Sequence, residues 1–319
     1  QPGFNCSGTT MKRLVILKGD RSGSTWFTRL LVHAAPNHAW ITEEALSGPA
    51  AAAQPVEAKL QHLSSCLARP TQRLQQLLGR PGQANCSAGA GPASCPWPRA
   101  ILGFSVDPTH HRPALPYDRV LRAWPDTLVV AFIRSNLVKW AVSVLHGSAL
   151  RRAGCGWNAN AACAARAPLS ALRLSASRVL RQVYKRAQIT QQVLSAATGA
   201  SGSVHVLLYE HLQADAGAAL AALHRALGLL PPPPAAGAPR PGHELTAARL
   251  TKVTADNLTF ALEPRSYNEL DTALSSQPCL RAMLNAPAAT AFPLLQCSVG
   301  GEVAHGRPSF VGTADLRPI

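Results

Sequence analysis

Acidic side chains are scarce in this sequence of 319 residues, which has 16 Asp and Glu against 31 Lys and Arg. The formal charge of +15 creates a positive field that attracts anions such as nucleotides, acidic glycans, nucleic acid or lipid headgroups. The sequence also lacks a run of about 18 apolar residues, so any membrane anchor or leader is expected outside this segment. Hydrophobic residues still make up 47% of the chain, which is enough for a sizeable core and excludes disorder throughout.

The cysteines lack the C-x-x-C spacing that zinc sites and thiol redox motifs need, so no metal is predicted. Their number, eight, is even, which favours disulfides, and proximity in sequence suggests the pairs Cys155–Cys163 and Cys279–Cys297. Three N-x-[ST] sequons begin at Asn5, Asn85 and Asn257. Disulfides and sequons together indicate a glycoprotein of the secretory pathway or Golgi lumen, and the alternative is a cytoplasmic protein with free thiols.

Short apolar segments alternate with segments of helical spacing along the chain. Strands are predicted at 13–17, 39–41, 100–106, 127–133 and 204–209. Helices are predicted at 26–35, 56–78, 137–150 with Asn136 as its N-cap, 169–197 and 214–227. Continuous apolar strands between helices are typical of a parallel sheet covered on both faces. The sequence therefore predicts an α/β fold, a P-loop-like doubly wound parallel sheet flanked by helices.

A shift in composition interrupts this pattern. Residues 49–98 are rich in Ala, Gly, Pro and Gln and contain three cysteines, which predicts a Cys-containing insertion pinned by disulfides. We therefore predict a single domain over residues 11–284 that contains this insertion, followed by a C-terminal tail at 285–319.

A loop of small residues, K-G-D-R-S-G-S-T-W at 18–26, separates the first strand from the first helix. Such a loop exposes backbone N–H groups beside the positive end of the helix dipole, where a phosphate can bind. Arg21 adds a permanent charge, and the hydroxyls of Ser22, Ser24 and Thr25 add hydrogen-bond donors. The glycines are too close together for a Walker loop and no Lys follows the second one, which disfavours an ordinary nucleotide kinase or GTPase.

Residues 21–26, R-S-G-S-T-W, resemble the 5′-phosphosulfate loop of sulfotransferases, whose pattern is P-[KR]-S-G-[ST]-[ST]-[WLF]. Asp20 stands where proline is usual. The resemblance implies the donor 3′-phosphoadenosine 5′-phosphosulfate (PAPS), bound by Arg21, Ser22, Gly23, Ser24, Thr25 and Trp26. In the family the basic residue, here Arg21, assists the bridging oxygen as the sulfuryl group leaves, and an aromatic residue at the Trp26 position lies against adenine.

A second segment, R-S-N-L-V-K-W-A-V-S at 134–143, is similar to the family's 3′-phosphate motif R-[ND]-P-x-x-x-x-x-S. Arg134 and Ser143 are expected to converge on one phosphate, although Ser143 follows Arg134 by nine residues where eight is usual. The segment around Tyr209 looks like the family's Y-E-D-L, where the tyrosine approaches adenine. Lys252 falls where relatives carry a basic loop that closes over the nucleotide.

Sulfuryl transfer needs a base for the acceptor hydroxyl, and two pairs of residues are candidates. Glu43 and Glu44 follow the second strand, and their position resembles that of secretory-pathway sulfotransferases, which carry a glutamate base about 20 residues beyond the phosphate loop. His110 and His111 follow the third strand, at a position resembling the histidine of cytosolic sulfotransferases. The cysteines and sequons favour Glu44 over Glu43, and then His111 or His110. Arg21 and Ser143 are expected to stabilise charge on the leaving phosphate.

These features predict a PAPS-dependent sulfotransferase that acts on a hydroxyl of a carbohydrate or protein, with no metal and no nucleic-acid partner. An acceptor that is already acidic fits the positive charge. Two alternatives stay open: a non-catalytic anion- or glycan-binding protein on a degenerate nucleotide-binding fold, and a P-loop-like nucleotide kinase.

Overall fold

The structure, a computed structural model, describes residues 10–34, 39–42, 44–46, 51, 53–68, 99–110, 115–155, 161–200, 204–229, 258, 262–287, 289–293 and 316–318. The strands are β1 Thr10–Lys18, β2 Ala39–Thr42, β3 Arg99–Val106, β4 Thr127–Ile133, β5 Val204–Leu208 and β6 Leu316–Pro318. The helices are α1 Ser24–Ala34, α2 Val56–Ala68, α3 Tyr117–Ala123, α4 Leu137–Arg152, α5 Ala161–Ala164, α6 Ala176–Ala200, α7 Tyr209–Ala214, α8 Ala216–Ala226, α9 Pro264–Ala273 and α10 Pro278–Asn285. Short 3-10 turns occupy Pro108–His110 and Leu169–Ala171.

The six described strands form one sheet in the order β2-β3-β1-β4-β5-β6, and every pair of neighbours is parallel. The strand order turns at β1, because β2 and β3 lie on one side of it and β4 to β6 lie on the other. Ligands of open α/β sheets bind outside the carboxyl ends of the strands at such a point. The α/β fold with a parallel sheet is confirmed, and the loop after β1 lies at the turning point.

Alternate residues of each central strand enter two separate apolar cores, one on each face of the sheet. Val15 and Leu17 of β1 belong to the core that contains α4 and α6, whereas Leu14 and Ile16 belong to the core that contains α1 and α8. The same alternation runs through β4. Burial on both faces explains why the strands are continuous apolar runs, because each side chain of a central strand faces one of the two cores.

Most predicted elements are present, and their boundaries differ from the predicted ones by one to a few residues, most of all at the start of the long helix. Asn136 is the N-cap of α4, because its side chain accepts a hydrogen bond from the Lys139 amide. The long helix predicted to begin at 169 begins at Ala176, since residue 172 is extended and the Leu174 amide donates to Ser266 Oγ at 3.2 Å. The strand predicted to end at 209 ends one residue earlier.

The predicted insertion contributes one helix to the core. The apolar side of α2 is buried against β3 and α3, with Leu63 and Leu67 fully buried. This helix is therefore an integral layer of the fold, and residues 69–98 of the predicted insertion lie outside the described residues.

The predicted disulfide between Cys155 and Cys163 is confirmed, with a Cα–Cα distance of 5.8 Å. Cys279 is also disulfide-bonded, whereas its predicted partner Cys297 and the three sequons lie outside the described residues. None of the helices in the described ranges is long and apolar enough to cross a membrane.

Candidate functional site

The loop between β1 and α1 curls around the amino end of the helix. The Ser22 amide donates to the Gly19 carbonyl at 3.3 Å, and the Phe27 amide donates to the Gly23 carbonyl at 3.1 Å. Arg21 and Gly23 have positive φ angles of 56° and 95°. These conformations turn the chain sharply enough for the loop to present its amides next to the first turn of α1, whose N–H groups have no partner within the helix. The predicted phosphate loop thus has a shape that suits an anion.

Tyr209 brings the two predicted motifs together. A Cβ atom on Gly23 would come within 2.5 Å of the Tyr209 ring, so only glycine allows this contact. The Trp26 ring meets the same tyrosine edge-on with centroids 5.6 Å apart, and the Arg134 guanidinium lies 4.8 Å from its centroid. The structure therefore places Gly23, Trp26, Arg134 and Tyr209 in one cluster at the carboxyl ends of β1, β4 and β5.

In this cluster and at the neighbouring Ser22, three polar atoms are buried without a hydrogen-bond partner among the described residues. They are Ser22 Oγ, Trp26 Nε1 and Arg134 Nε. Leaving a buried donor unsatisfied costs about 1–3 kcal/mol, so such groups usually have a partner. Two of the three can only donate, and Ser22 Oγ can donate as well. An anionic ligand with several acceptor oxygens would satisfy them.

One face of α4 lies along the phosphate loop. Trp140 Nε1 donates to the Asp20 carbonyl at 2.9 Å, and a Cβ on Gly147 would come within 2.4 Å of the Arg21 guanidinium carbon. Residues three and four apart share a helix face, so the half-buried Ser143 lies between these two contacts on the loop side. Ser143 thus belongs to the helix face that contacts the phosphate loop, whereas its convergence with Arg134 on one phosphate stays a prediction.

The surroundings of Arg21 disfavour its positive charge. Burial, and then repulsion from Arg151, lower the pKa of Arg21 from its ordinary value, and Asp20 acts in the opposite direction. A bound anion would offset both unfavourable contributions, because it stabilises the charged guanidinium.

Glu210 fixes the corner from which Arg134 and α4 depart. Its buried carboxylate accepts hydrogen bonds from the Ser135 amide at 3.0 Å, the Ser135 hydroxyl at 2.9 Å and the Asn136 amide at 3.1 Å. Asn136 also donates to the Met283 carbonyl at 2.8 Å. Sequence reasoning missed this role, although an acidic residue two positions after a strand end is a signal for it.

The structure holds Glu44 beside the phosphate loop. Lys18, the last residue of β1, is 3% exposed and donates to Glu44 Oε1 at 2.7 Å, whereas the Glu44 side chain is 54% exposed. The Glu44 amide donates to Ser105 Oγ at 3.0 Å, and the residue has a positive φ of 48°. Glu44 is therefore accessible from solvent at the same sheet edge, and Lys18 is a partner that sequence reasoning missed.

The other candidate bases are less well placed or not described. His110 is exposed on the turn after β3, with its Nε2 3.7 Å from Asp107 Oδ2. Thr109 also binds Asp107, through its amide at 2.9 Å and its hydroxyl at 2.6 Å. Glu43, His111 and Lys252 lie outside the described residues.

The phosphate loop is also anchored by an ion pair to α6, which the sequence did not predict. Asp20 pairs with Arg186 of α6, a residue with a 2% exposed side chain.

Within the described ranges, no three His, Cys, Asp or Glu side chains cluster as a metal site requires.

Comparison with known proteins gives one distant likeness. No protein-family model matches the chain, and no curated protein matches it. A solved structure, that of a sulfotransferase from Alicyclobacillus acidocaldarius, is similar over 86% of this chain and 96% of that chain, with a TM-score of 0.39 and 14% identity. This likeness is too distant to assign a role to any residue of the present chain.

Proposed function

We propose that this protein transfers a sulfuryl group from PAPS to a hydroxyl acceptor. The observation that carries the proposal is the cluster around Tyr209. Two sequence segments that resemble the 5′- and 3′-phosphate motifs of sulfotransferases meet on this ring, through Gly23 and Trp26 of the first and Arg134 of the second. A donor with phosphates at both the 3′ and 5′ positions would need this combination.

The buried donors indicate which residues would hold the two phosphates. Ser22 Oγ and the amides at the start of α1 lie on the 5′ side, together with the hydroxyls of Ser24 and Thr25. Arg134 and Ser143 are the candidates for the 3′-phosphate. The Trp26 and Tyr209 rings meet at an interplanar angle of 68°, which leaves no gap for a planar base between them, so adenine would lie against the outer side of this pair.

In the proposed reaction, the acceptor oxygen attacks sulfur as the bond between sulfur and the bridging phosphate oxygen breaks. The hydroxyl proton passes to the Glu44 carboxylate, and adenosine 3′,5′-bisphosphate leaves with the electron pair of the broken bond. Arg21, which lies against Gly147, is the cation available to stabilise the charge that develops on the leaving phosphate. Lys18 keeps the carboxylate at the edge of the sheet.

The acceptor is proposed to be a hydroxyl of a carbohydrate or protein in the lumen of the secretory pathway. The disulfide between Cys155 and Cys163 supports an oxidising compartment. The formal charge of +15 supports an acceptor that already carries acidic groups.

Thermal stabilisation by nucleotides tests the donor. Adenosine 3′,5′-bisphosphate should raise the melting temperature more than equal concentrations of AMP or ATP, because only the bisphosphate can occupy both phosphate positions. Equal shifts with all three nucleotides, or none, would refute the donor assignment.

Turnover with PAPS separates catalysis from binding. If the bisphosphate binds selectively but neither acidic glycans nor tyrosine-containing peptides accept a sulfuryl group from labelled PAPS, the result favours the alternative of a non-catalytic anion-binding protein. Transfer of the label to a hydroxyl supports the enzyme.

A further inference from the structure

The phosphate loop contains a carboxylate where an anion-binding loop would ordinarily avoid one. Asp20 lies between Gly19 and Arg21, and its side chain is 35% exposed. A negative charge at this position repels a phosphate in the same loop, so binding of an anion requires that the charge be cancelled.

Arg186 provides that cancellation from the opposite side. It projects from α6 with 2% exposure, and its Nη1 is paired with Asp20 Oδ1. Its Nη2 lies 3.5 Å from Gln182 Oε1, and its Nε has no hydrogen-bond partner among the described residues. Asp20 is thus the ion-pair partner of the buried Arg186 guanidinium.

Trp140 joins the same arrangement. Its indole N–H donates to the Asp20 carbonyl at 2.9 Å, and the Arg186 guanidinium lies 5.3 Å from the centroid of its ring. The tip of the same ring would be 2.9 Å from a Cβ on Gly19, so the indole also packs against the start of the loop. Asp20 is therefore held through both its side chain and its backbone, immediately before the positive-φ residue Arg21.

We propose that Arg186 is a positioning residue of the phosphate loop: it neutralises Asp20 and, together with Trp140, holds residues 19–23 in the anion-binding shape before the donor binds. This inference rests on the proposed function, which supplies the ligand. It extends that function because Arg186 of α6 would raise the affinity for the nucleotide donor. The ion pair replaces the proline that the sulfotransferase motif carries at this position, since both restrict the residue before the basic side chain.

The two partners differ in what their removal leaves behind. Removing Arg186 leaves a carboxylate that is partly solvated, so the chain should still fold. Removing Asp20 alone leaves a buried guanidinium without its counter-charge, which is far more destabilising. The informative variants are therefore Arg186→Met and the double variant Asp20→Asn/Arg186→Met, with Arg181→Met, an exposed arginine of the same helix, as the matched control.

Titration of the full chain with adenosine 3′,5′-bisphosphate measures the charge effect. R186M should bind on the order of tenfold more weakly than wild type, because the uncancelled Asp20 carboxylate then repels the anion across a partly buried loop. The double variant should recover most of this loss because it removes the repelling carboxylate, and R181M should bind as wild type does. Equal affinities in wild type and R186M, or no recovery in the double variant, would overturn the charge role.

Amide hydrogen exchange tests the positioning role without any ligand. In R186M the amides of residues 20–24 should exchange faster relative to those of β4, whereas R181M should leave the ratio unchanged. An unchanged ratio in R186M would overturn the positioning role. If wild type binds no nucleotide, the proposed function fails, and the exchange comparison still decides whether Arg186 holds the loop.

Discussion

At the scale of single residues, Glu44 is in a backbone conformation that few side chains other than glycine adopt. Its φ of 48° is maintained by the hydrogen bond from its amide to Ser105 Oγ and by the ion pair with Lys18. Such strained conformations persist only where the surroundings enforce them, and they are concentrated at functional sites. The geometry thus favours Glu44 over the exposed His110 as the base.

Replacing Glu44 by Gln should reduce turnover with PAPS by about 10²–10⁴-fold, the usual contribution of a general base. Binding of adenosine 3′,5′-bisphosphate should not weaken, because Gln can still accept the hydrogen bond from Lys18 and one repelling carboxylate beside the loop is removed. Steady-state kinetics with labelled PAPS and a parallel binding titration check both expectations. Glu57→Gln, which removes an exposed carboxylate paired with Arg119, is the matched control. Full activity in the Glu44 variant would eliminate this residue as the base.

Lys139 is a buried lysine next to the proposed 3′-phosphate residue. Burial first, and then repulsion from Arg134, lower its pKa from 10.5 to about 8, and Glu210 opposes the shift. Its ammonium donates to the Ala286 carbonyl at 2.5 Å. Between pH 8 and 10.5 the unfolded chain keeps the proton that the folded chain has lost, so unfolding takes up a proton and stability rises with pH.

The free energy of unfolding of wild type should therefore increase relative to that of Lys139→Met between about pH 8 and 10.5. Below this window both states hold the proton, so the difference should be constant. Urea unfolding at a series of pH values measures it, with the exposed Lys185→Met as control. A difference that is constant or falls across the window would contradict the lowered pKa.

At the scale of elements, α4 connects the two halves of the site. Its amino end is fixed by Glu210 and the Asn136 cap, and its third turn contacts the phosphate loop through Gly147. Gly147 is unfavourable for a helix, yet a larger side chain would meet the Arg21 guanidinium. The close approach of Arg21 therefore explains why a glycine occupies this position, whereas helix propensity would favour another residue.

Gly147→Ala should displace Arg21 while it favours the helix by up to about 1 kcal/mol. We expect turnover to fall at least about tenfold, the effect of a small misplacement in a reacting group, without loss of thermal stability. Gly199→Ala in α6, where a Cβ would meet nothing within 4 Å, should change stability alone. Kinetics and melting curves of the two variants distinguish these effects, and equal turnover in both would contradict the role of Gly147.

At the scale of the whole molecule, the charge is strongly unbalanced. A net charge of +15 destabilises a compact chain through self-repulsion, and salt screens this repulsion. Most described ion pairs, such as Arg122 with Asp118, are exposed and contribute little.

Raising sodium chloride from about 20 to about 200 mM should therefore increase the melting temperature, since the Debye length falls below about 10 Å over this range. Sodium sulfate at matched ionic strength should increase it further, because sulfate is excluded from protein surfaces in general and can also occupy the phosphate loop. Differential scanning fluorimetry measures both effects. Equal effects of the two salts would argue against an anion site, and a falling melting temperature would contradict the repulsion.

The sequence by itself determined the order of elements and the position of the loop. Apolar runs such as β4, the Asn136 cap and the small residues at 22–25 are local signals that do not depend on distant residues. The start of α6 was mispredicted because helical spacing continues through 169–175, while burial of Leu174 and its bond to Ser266 favour an extended segment there.

Only the tertiary structure decided which of these residues meet. Asp20 contacts Trp140 and Arg186, which are 120 and 166 residues away along the chain, and Tyr209 joins Gly23 to Arg134. The scarcity of acidic residues had suggested a general attraction for anions, yet the structure shows how one of the few carboxylates is cancelled within the loop itself. Such pairings depend on how the sheet brings strand ends together. Sequence periodicity does not predict them, because it reports on one element at a time and the partners belong to separate elements.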